Sequence, residues 1–91
     1  LIMIMSKVEE AELHAYVLIN TEPGRLWKVA EDAVKVSGVK MAHAVTGQYD
    51  VIAYIEFLRI EELGRIIDAI QSIDGVLRTH TAIAMAQRLS D

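Results

Sequence analysis

The 91-residue sequence repeats itself at an offset of 37 residues without a gap. Leu26 corresponds to Leu63, Val29 to Ile66, Ala33 to Ile70, and Val36-Ser37-Gly38-Val39 to Ile73-Asp74-Gly75-Val76. Self-similarity of this kind means that one supersecondary unit is used twice. In the first copy, His14 to Asn20 is short, apolar and partly β-branched, which predicts a strand ending at Thr21-Glu22-Pro23-Gly24. Leu26, Val29, Ala30, Ala33 and Val36 then recur at helical spacing. Pro23 suits the first turn of that helix, where its missing N–H is not needed, and Gly38 suits a left-handed cap. A second strand is expected from Val39 to Thr46 and a third from Asp50 to Phe57, with Gly47-Gln48 as a tight, glycine-first hairpin turn between them. Leu63, Ile66, Ile67, Ile70 and Ile73 repeat the helical stripe, Asp74-Gly75 ends it, and Val76 to Met85 forms the last strand.

The chain is therefore two βαβ units. Right-handed crossovers place both helices on one side, and interleaving the units gives a four-stranded antiparallel sheet with two helices on one face. This is the α+β, ferredoxin-like βαββαβ fold. It occupies residues 14–86 as one domain, with an N-terminal tail of residues 1–13 and a C-terminal tail of residues 87–91. With 53% apolar residues but one Trp, one Phe and three Tyr, its core must be aliphatic. The runs Ala15-Tyr16-Val17-Leu18-Ile19 and Val51-Ile52-Ala53-Tyr54-Ile55 are apolar on both sides of their strands, while the helices cover only one side. A second subunit covering the other face, sheet against sheet about a twofold axis, meets this need and forms a dimeric α/β-barrel-like assembly. The rival is the N-terminal tail folding over the same face.

Composition removes several function classes. The net charge is −4, from 9 basic and 13 acidic residues, with no run of Lys or Arg to track phosphates, so direct nucleic-acid binding is not expected. The absence of Cys removes disulfides, a thiol nucleophile and Cys-ligated zinc, and fits a cytoplasmic protein. Leu1-Ile2-Met3-Ile4-Met5 is too short for a membrane span or signal-peptide core, so no membrane association is expected. His43 and His80 occupy matching positions in the two copies, but on opposite edge strands, three strand spacings or roughly 14 Å apart. They cannot share a metal within one chain. His14 has no carboxylate at useful spacing, and Ser6, Ser37, Ser72 and Ser90 sit at termini or helix ends without a base. No catalytic residue, metal or cofactor follows.

The best candidate for binding chemistry is Thr46-Gly47-Gln48-Tyr49-Asp50. Glycine lets a ligand approach the backbone, a hydroxyl and an amide stand beside it, and Asp50 is able to take an ammonium group, a set that suits an amino acid or a similar small polar ligand. The plain alternative is an ordinary hairpin whose Asp50 bonds the turn's own backbone. Thr79 and Thr81 alternate on the last strand, so both hydroxyls share a face, toward a ligand or a neighbouring strand. Tyr16 and Tyr54 suit packing or a pocket wall in an oligomer. Trp27, off the apolar stripe of the first helix, suits a contact between dimers.

These motifs, from the first strand and Pro23-Gly24 through Gly47-Gln48-Tyr49-Asp50 to Ile73-Asp74-Gly75-Val76 with Thr79 and Thr81, resemble the effector domain of the leucine-responsive regulatory protein and asparagine-operon regulator family over residues 14–85. The resemblance implies an amino-acid-sensing and oligomerisation module of transcription regulation, pairing by its sheets and often forming an octamer of four dimers. It implies a ligand between dimers, held by Gly47, Gln48, Tyr49 and Asp50 of one subunit and by Thr79 and Thr81 of another. Gln48 departs from an acidic residue frequent at that turn. Family members carry a helix-turn-helix domain, for which the thirteen residues before the first strand are too few, so a stand-alone effector module is expected, with a full-length helix-turn-helix relative as a partner in mixed oligomers. Two other classes share the fold: small dimeric barrel enzymes, monooxygenase- or isomerase-like, and assembly modules without a ligand.

Light scattering at micromolar concentration should give at least a dimer; a monomeric mass would overturn the covered-face argument. If a larger assembly forms, Trp27→Ala should return it to the dimer.

Overall fold

The computed structural model describes residues 13–84. Its elements are β1 (Leu13–Thr21), α1 (Leu26–Val34), β2 (Val39–Ala44), β3 (Val51–Phe57), α2 (Ile60–Gln71) and β4 (Val76–Ile83). The four strands form one antiparallel sheet in the order β2-β3-β1-β4. This is the expected ferredoxin-like architecture, with α1 packed over β2 and β3, and α2 over β4 and β3. The N-terminal apolar run, and the covering role considered for the tail, lie outside the described residues. Met85 and the C-terminal tail do too.

Strand alternation sorts the side chains. Ala15, Val17 and Ile19 of β1 and Val51, Ala53, Ile55 and Phe57 of β3 face the helices and are buried. They meet Val29 and Ala30 of α1 and Leu63, Ile66 and Ile70 of α2 in an aliphatic core. Burying a Val, Leu or Ile fully contributes about 1.5–3 kcal/mol, so these positions supply most of the driving force. The opposite parity of β1 and β3 carries His14, Tyr16, Leu18, Asn20, Ile52, Tyr54 and Glu56 on the open face. The centre of that face is apolar or aromatic, with Tyr16 41% exposed, while its margins are polar.

Two glycines seat the helices. Gly38 and Gly75 both have φ +102°, a conformation that costs any other residue about 1–3 kcal/mol. Both also lie against the helix of the other repeat. A Cβ on Gly38 would stand 2.6 Å from Ile66 Cδ1, and one on Gly75 would stand 2.9 Å from Arg25 Cβ and 3.2 Å from Val29 Cγ2. Val29 and Ile66 are themselves repeat partners, so the two contacts are reciprocal.

Three local expectations are corrected. Pro23 does not start α1. It stands at the second position of a turn closed by Arg25 N–H donating to the Glu22 carbonyl at 3.0 Å, and Gly24 follows at φ +83°. A proline followed by a positive-φ residue makes a type II turn, and the helix begins after it, at Leu26. Gly47-Gln48 is not a two-residue hairpin either. β2 ends at Ala44 and β3 begins at Val51, so residues 45–50 form a wider loop, closed where Val45 N–H donates to the Asp50 carbonyl at 2.9 Å. The strands part early because Asp50 N–H turns away to the Ile19 carbonyl of β1, also at 2.9 Å. His14, finally, has a carboxylate partner after all. β1 and β3 set it directly opposite Glu56, and the Tyr54 hydroxyl lies between, hydrogen-bonded to His14 Nδ1 and donating to Glu56 Oε2 at 3.2 Å.

Gly38→Ala and Gly75→Ala should each lower unfolding stability by about 1–3 kcal/mol, through φ strain and helix displacement. Gly64→Ala, inside α2 with open space where the Cβ would go, should raise it by about 0.5–1 kcal/mol. Urea midpoints of the three variants check this. Equal midpoints would remove the role assigned to the two contacts.

Candidate functional site

Asp50 is the joint on which the loop after β2 depends. Its N–H and carbonyl hold β1 and the loop base, and its carboxylate Oδ2 accepts from the Thr21 N–H at 2.8 Å and the Thr21 hydroxyl at 3.4 Å. The carboxylate thus bonds the end of β1, not the turn's own backbone. A carboxylate that accepts a backbone N–H at such a distance makes a charge-assisted bond stronger than a neutral one.

The rest of the loop is carried over the open sheet face. The Gln48 carbonyl accepts from Asn20 Nδ2 at 2.9 Å, and Asn20 Oδ1 accepts from Arg78 Nε at 3.3 Å. A carbonyl only accepts and a guanidinium only donates, so both ends of the Asn20 amide are fixed by their partners. Tyr49 reaches across β1 to set its ring edge-on to His80 of β4, with centroids 5.7 Å apart and planes at 65°. Asn20, Gln48, Tyr49, Arg78 and His80 line a cleft of about 330 Å³. Gly47, at φ +107° with open space around it, gives the loop its path. The backbone N–H groups of Thr46, Gly47, Gln48 and Tyr49 make no hydrogen bond among the described residues.

Gly47, Gln48, Tyr49 and Asp50 therefore form one structural unit, but Thr79 and Thr81 do not join it within the chain. They pair with Ile19 and Val17 and share those residues' helix-side parity, while Arg78 and His80 take the open-face parity. The Thr79 hydroxyl accepts from Gln71 Nε2 of α2 at 3.0 Å, and Thr81 is exposed near the sheet edge. Asn20, Arg78 and His80 carry no local motif that marks them as binding residues. The 37-residue repeat does not mark them, since His80 falls on an identical His43 and the strand residues around Asn20 mismatch throughout; the β1–β4 register brings them together. His43 and His80 lie on opposite edge strands, as expected, and no group of three or more His, Asp or Glu among the described residues is placed to hold a metal ion. No helix among the described residues is long and apolar enough to cross a membrane.

Residues 14–91 match the family model of the Lrp/AsnC ligand binding domain. The HTH-type transcriptional regulator FL11 of Pyrococcus abyssi is 37% identical over 71 residues, covering 78% of this chain and 47% of the regulator. The regulator LysM of Sulfurisphaera tokodaii is 30% identical over 77 residues, covering 84% of this chain and 55% of the regulator. The chain spans about half the length of these curated relatives. Among solved structures, TTHA0845 of Thermus thermophilus superposes with a TM-score of 0.79 at 30% identity, covering 86% of this chain and 99% of that one. AsnC of E. coli superposes with a TM-score of 0.79 at 20% identity, covering 93% of this chain and 58% of that one.

Asp50→Ala should free the Thr21 N–H and lower stability by about 1–3 kcal/mol, since a partly buried donor loses its partner. Asp50→Asn, which keeps an acceptor oxygen, should lose less. Amide hydrogen exchange at Thr21 together with melting temperature tests the anchor, and unchanged exchange in Asp50→Ala would remove it.

Proposed function

This chain belongs to the family of Lrp/AsnC ligand-binding domains, and on that premise we propose that it senses an amino acid or similar small polar molecule and couples binding to self-association. Its setting is transcription regulation in the cytoplasm, without catalysis. The observation that carries this reading is the anchored loop: Asp50 fixes its base, and four consecutive N–H groups from Thr46 to Tyr49 have no partner among the described residues. Such donors suit a carboxylate. In this reading Gly47, Gln48 and Tyr49 hold the ligand's carboxylate through the backbone. Asp50, one of whose oxygens is engaged by Thr21, shares the ammonium group with loop carbonyls.

Thr79 and Thr81 point away from the loop of their own chain, so their contribution comes from a neighbouring copy. A homodimer packed through the open sheet faces, and an octamer of four dimers with Trp27 at its contacts, supply such neighbours. Trp27 is 71% exposed, which supports that placement. The described residues build no recognition helix, and DNA contact would fall to other residues or to a full-length helix-turn-helix relative in a mixed oligomer. A regulator of Neisseria meningitidis that superposes with a TM-score of 0.72 was solved as a complex with L-Met; at 17% identity it shares the fold, and it supports an amino acid as the class of ligand. The His14-Tyr54-Glu56 chain is the arrangement nearest to an enzyme's acid–base pair, but none of its members lines the cleft.

A thermal-shift screen against the twenty amino acids, followed by sedimentation velocity with the best ligand, tests the proposal. A ligand at a hundred times its Kd stabilises the bound form by about 2.7 kcal/mol, enough for a shift of roughly 10 °C or more in a domain of this size. The expected result is such a shift for one or a few amino acids, with a change in the population of assembled species. No response to any amino acid would overturn sensing, and binding without a change in assembly would overturn the coupling.

A further inference from the structure

The cleft beside the loop has a charge character of its own. Arg25 pairs with Asp74 at 3.3 Å, and Lys28 with Asp32 at 3.0 Å. Arg78 has no acidic partner among the described residues. Lys40, Arg59 and Arg65 also lack one, but none of them lines the cleft. The single hydrogen bond of Arg78, from Nε to Asn20 Oδ1, orients the guanidinium and leaves its two terminal nitrogens without a protein acceptor among the described residues. Around it stand two amides, a phenol and an imidazole, with no Asp, Glu or aliphatic side chain in the lining. A fixed cation with planar donors, in a cleft without negative charge, is complementary to a carboxylate. The volume, about 330 Å³, lies at the lower end of the range for small-molecule sites, roughly 300–1,000 Å³.

We infer that the molecule bound here is a small dicarboxylate of the acidic amino-acid class, its α-amino and α-carboxylate groups on the Thr46–Asp50 loop and its side-chain carboxylate on Arg78. This rests on the loop being a ligand loop, because Gln48 and Tyr49 belong to both the loop and the cleft. Arg78 is then the specificity-determining residue. It attracts an acidic side chain, repels a cationic one, and is left desolvated without an acceptor by an apolar one. His80 acts through Tyr49, against whose ring it packs, and holds the loop tip over the cleft. Arg78 stands on an edge strand, exposed in the single chain and outside its core, so its replacement leaves the fold intact. Because it shares the open face through which the proposed dimer packs, the assembly state of each Arg78 variant is measured by sedimentation velocity beside its affinity.

Isothermal titration of the full chain with L-glutamate, L-aspartate, L-leucine, L-lysine and succinate tests the inference, with Arg78→Gln and Arg78→Lys measured in parallel. L-Glutamate or L-aspartate should bind at least about tenfold more tightly than L-leucine or L-lysine. Arg78→Gln should lose roughly ten- to a hundredfold in affinity for the acidic ligand, the range of one charge-assisted hydrogen bond, and Arg78→Lys should recover part of it. Preferred binding of L-leucine or L-lysine would overturn the assignment of Arg78 while leaving amino-acid sensing standing, and so would undiminished binding of the acid by Arg78→Gln. Binding of succinate alone, lost in Arg78→Gln, would uphold the carboxylate cleft and overturn an acidic amino acid as its occupant. No binding of any of the five would overturn the acidic-ligand assignment, and amino-acid sensing falls only with the twenty-amino-acid screen.

Discussion

Val17 and Ile19 expose no surface, and that burial fixes the arrangement around them. β1 is a central strand, paired with β3 on one side and β4 on the other, so its side-chain parity propagates across the sheet. Once Val17 and Ile19 face the helices, Leu18 and Asn20 must face away, and so must His80 and Arg78 opposite them. A slip of one residue between β1 and β4 would exchange Arg78 and His80 for Thr79 and Thr81 on the open face. The chemistry of the cleft is therefore set by core packing, since what surrounds the loop follows from which residues of β1 are apolar enough to be buried.

The parts of the fold legible in the sequence are those governed by local periodicity. The helical stripes from Leu26 and from Leu63, the positive-φ glycines that end both helical segments and the β-branched strands all declare themselves within a few residues. Pro23 misled because a proline before a helix is equally at home in the helix's first turn or in a type II turn, and Gly24 at φ +83° decides for the turn. The loop after β2 misled for another reason. Its width is set by Asp50 bonding to Ile19 and Thr21, some thirty positions earlier, and no window around Gly47 contains that information.

The same distinction runs through the candidate site. Gln48 and Tyr49 stand out locally, because a glycine loop with polar neighbours is conspicuous. Asn20, Arg78 and His80 join them only through the β1–β4 register, and His14 meets Glu56 only through the β1–β3 register. The two repeats agree in the helices and in the glycines that follow them, as at Val29 and Ile66 and at Gly38 and Gly75, and differ in the strands, where buried Ile19 falls on Glu56 and Asn20 on Phe57. The shared helix and glycine segments seat both helices alike, while the strands give one end of the sheet a chemical identity that the other end lacks.

The strand order β2-β3-β1-β4 separates the two strands of each repeat by a strand of the other. β1 and β2 share no ladder, and neither do β3 and β4. A chain cut between the repeats thus yields two fragments that each hold a helix and two strands with nothing to pair them, and every ladder of the sheet is restored only when the fragments combine. Folding must accordingly wait for contacts between segments far apart in sequence, which makes the transition cooperative across the whole domain and leaves no stable half on its pathway. A fold built from two like units is in this way indivisible.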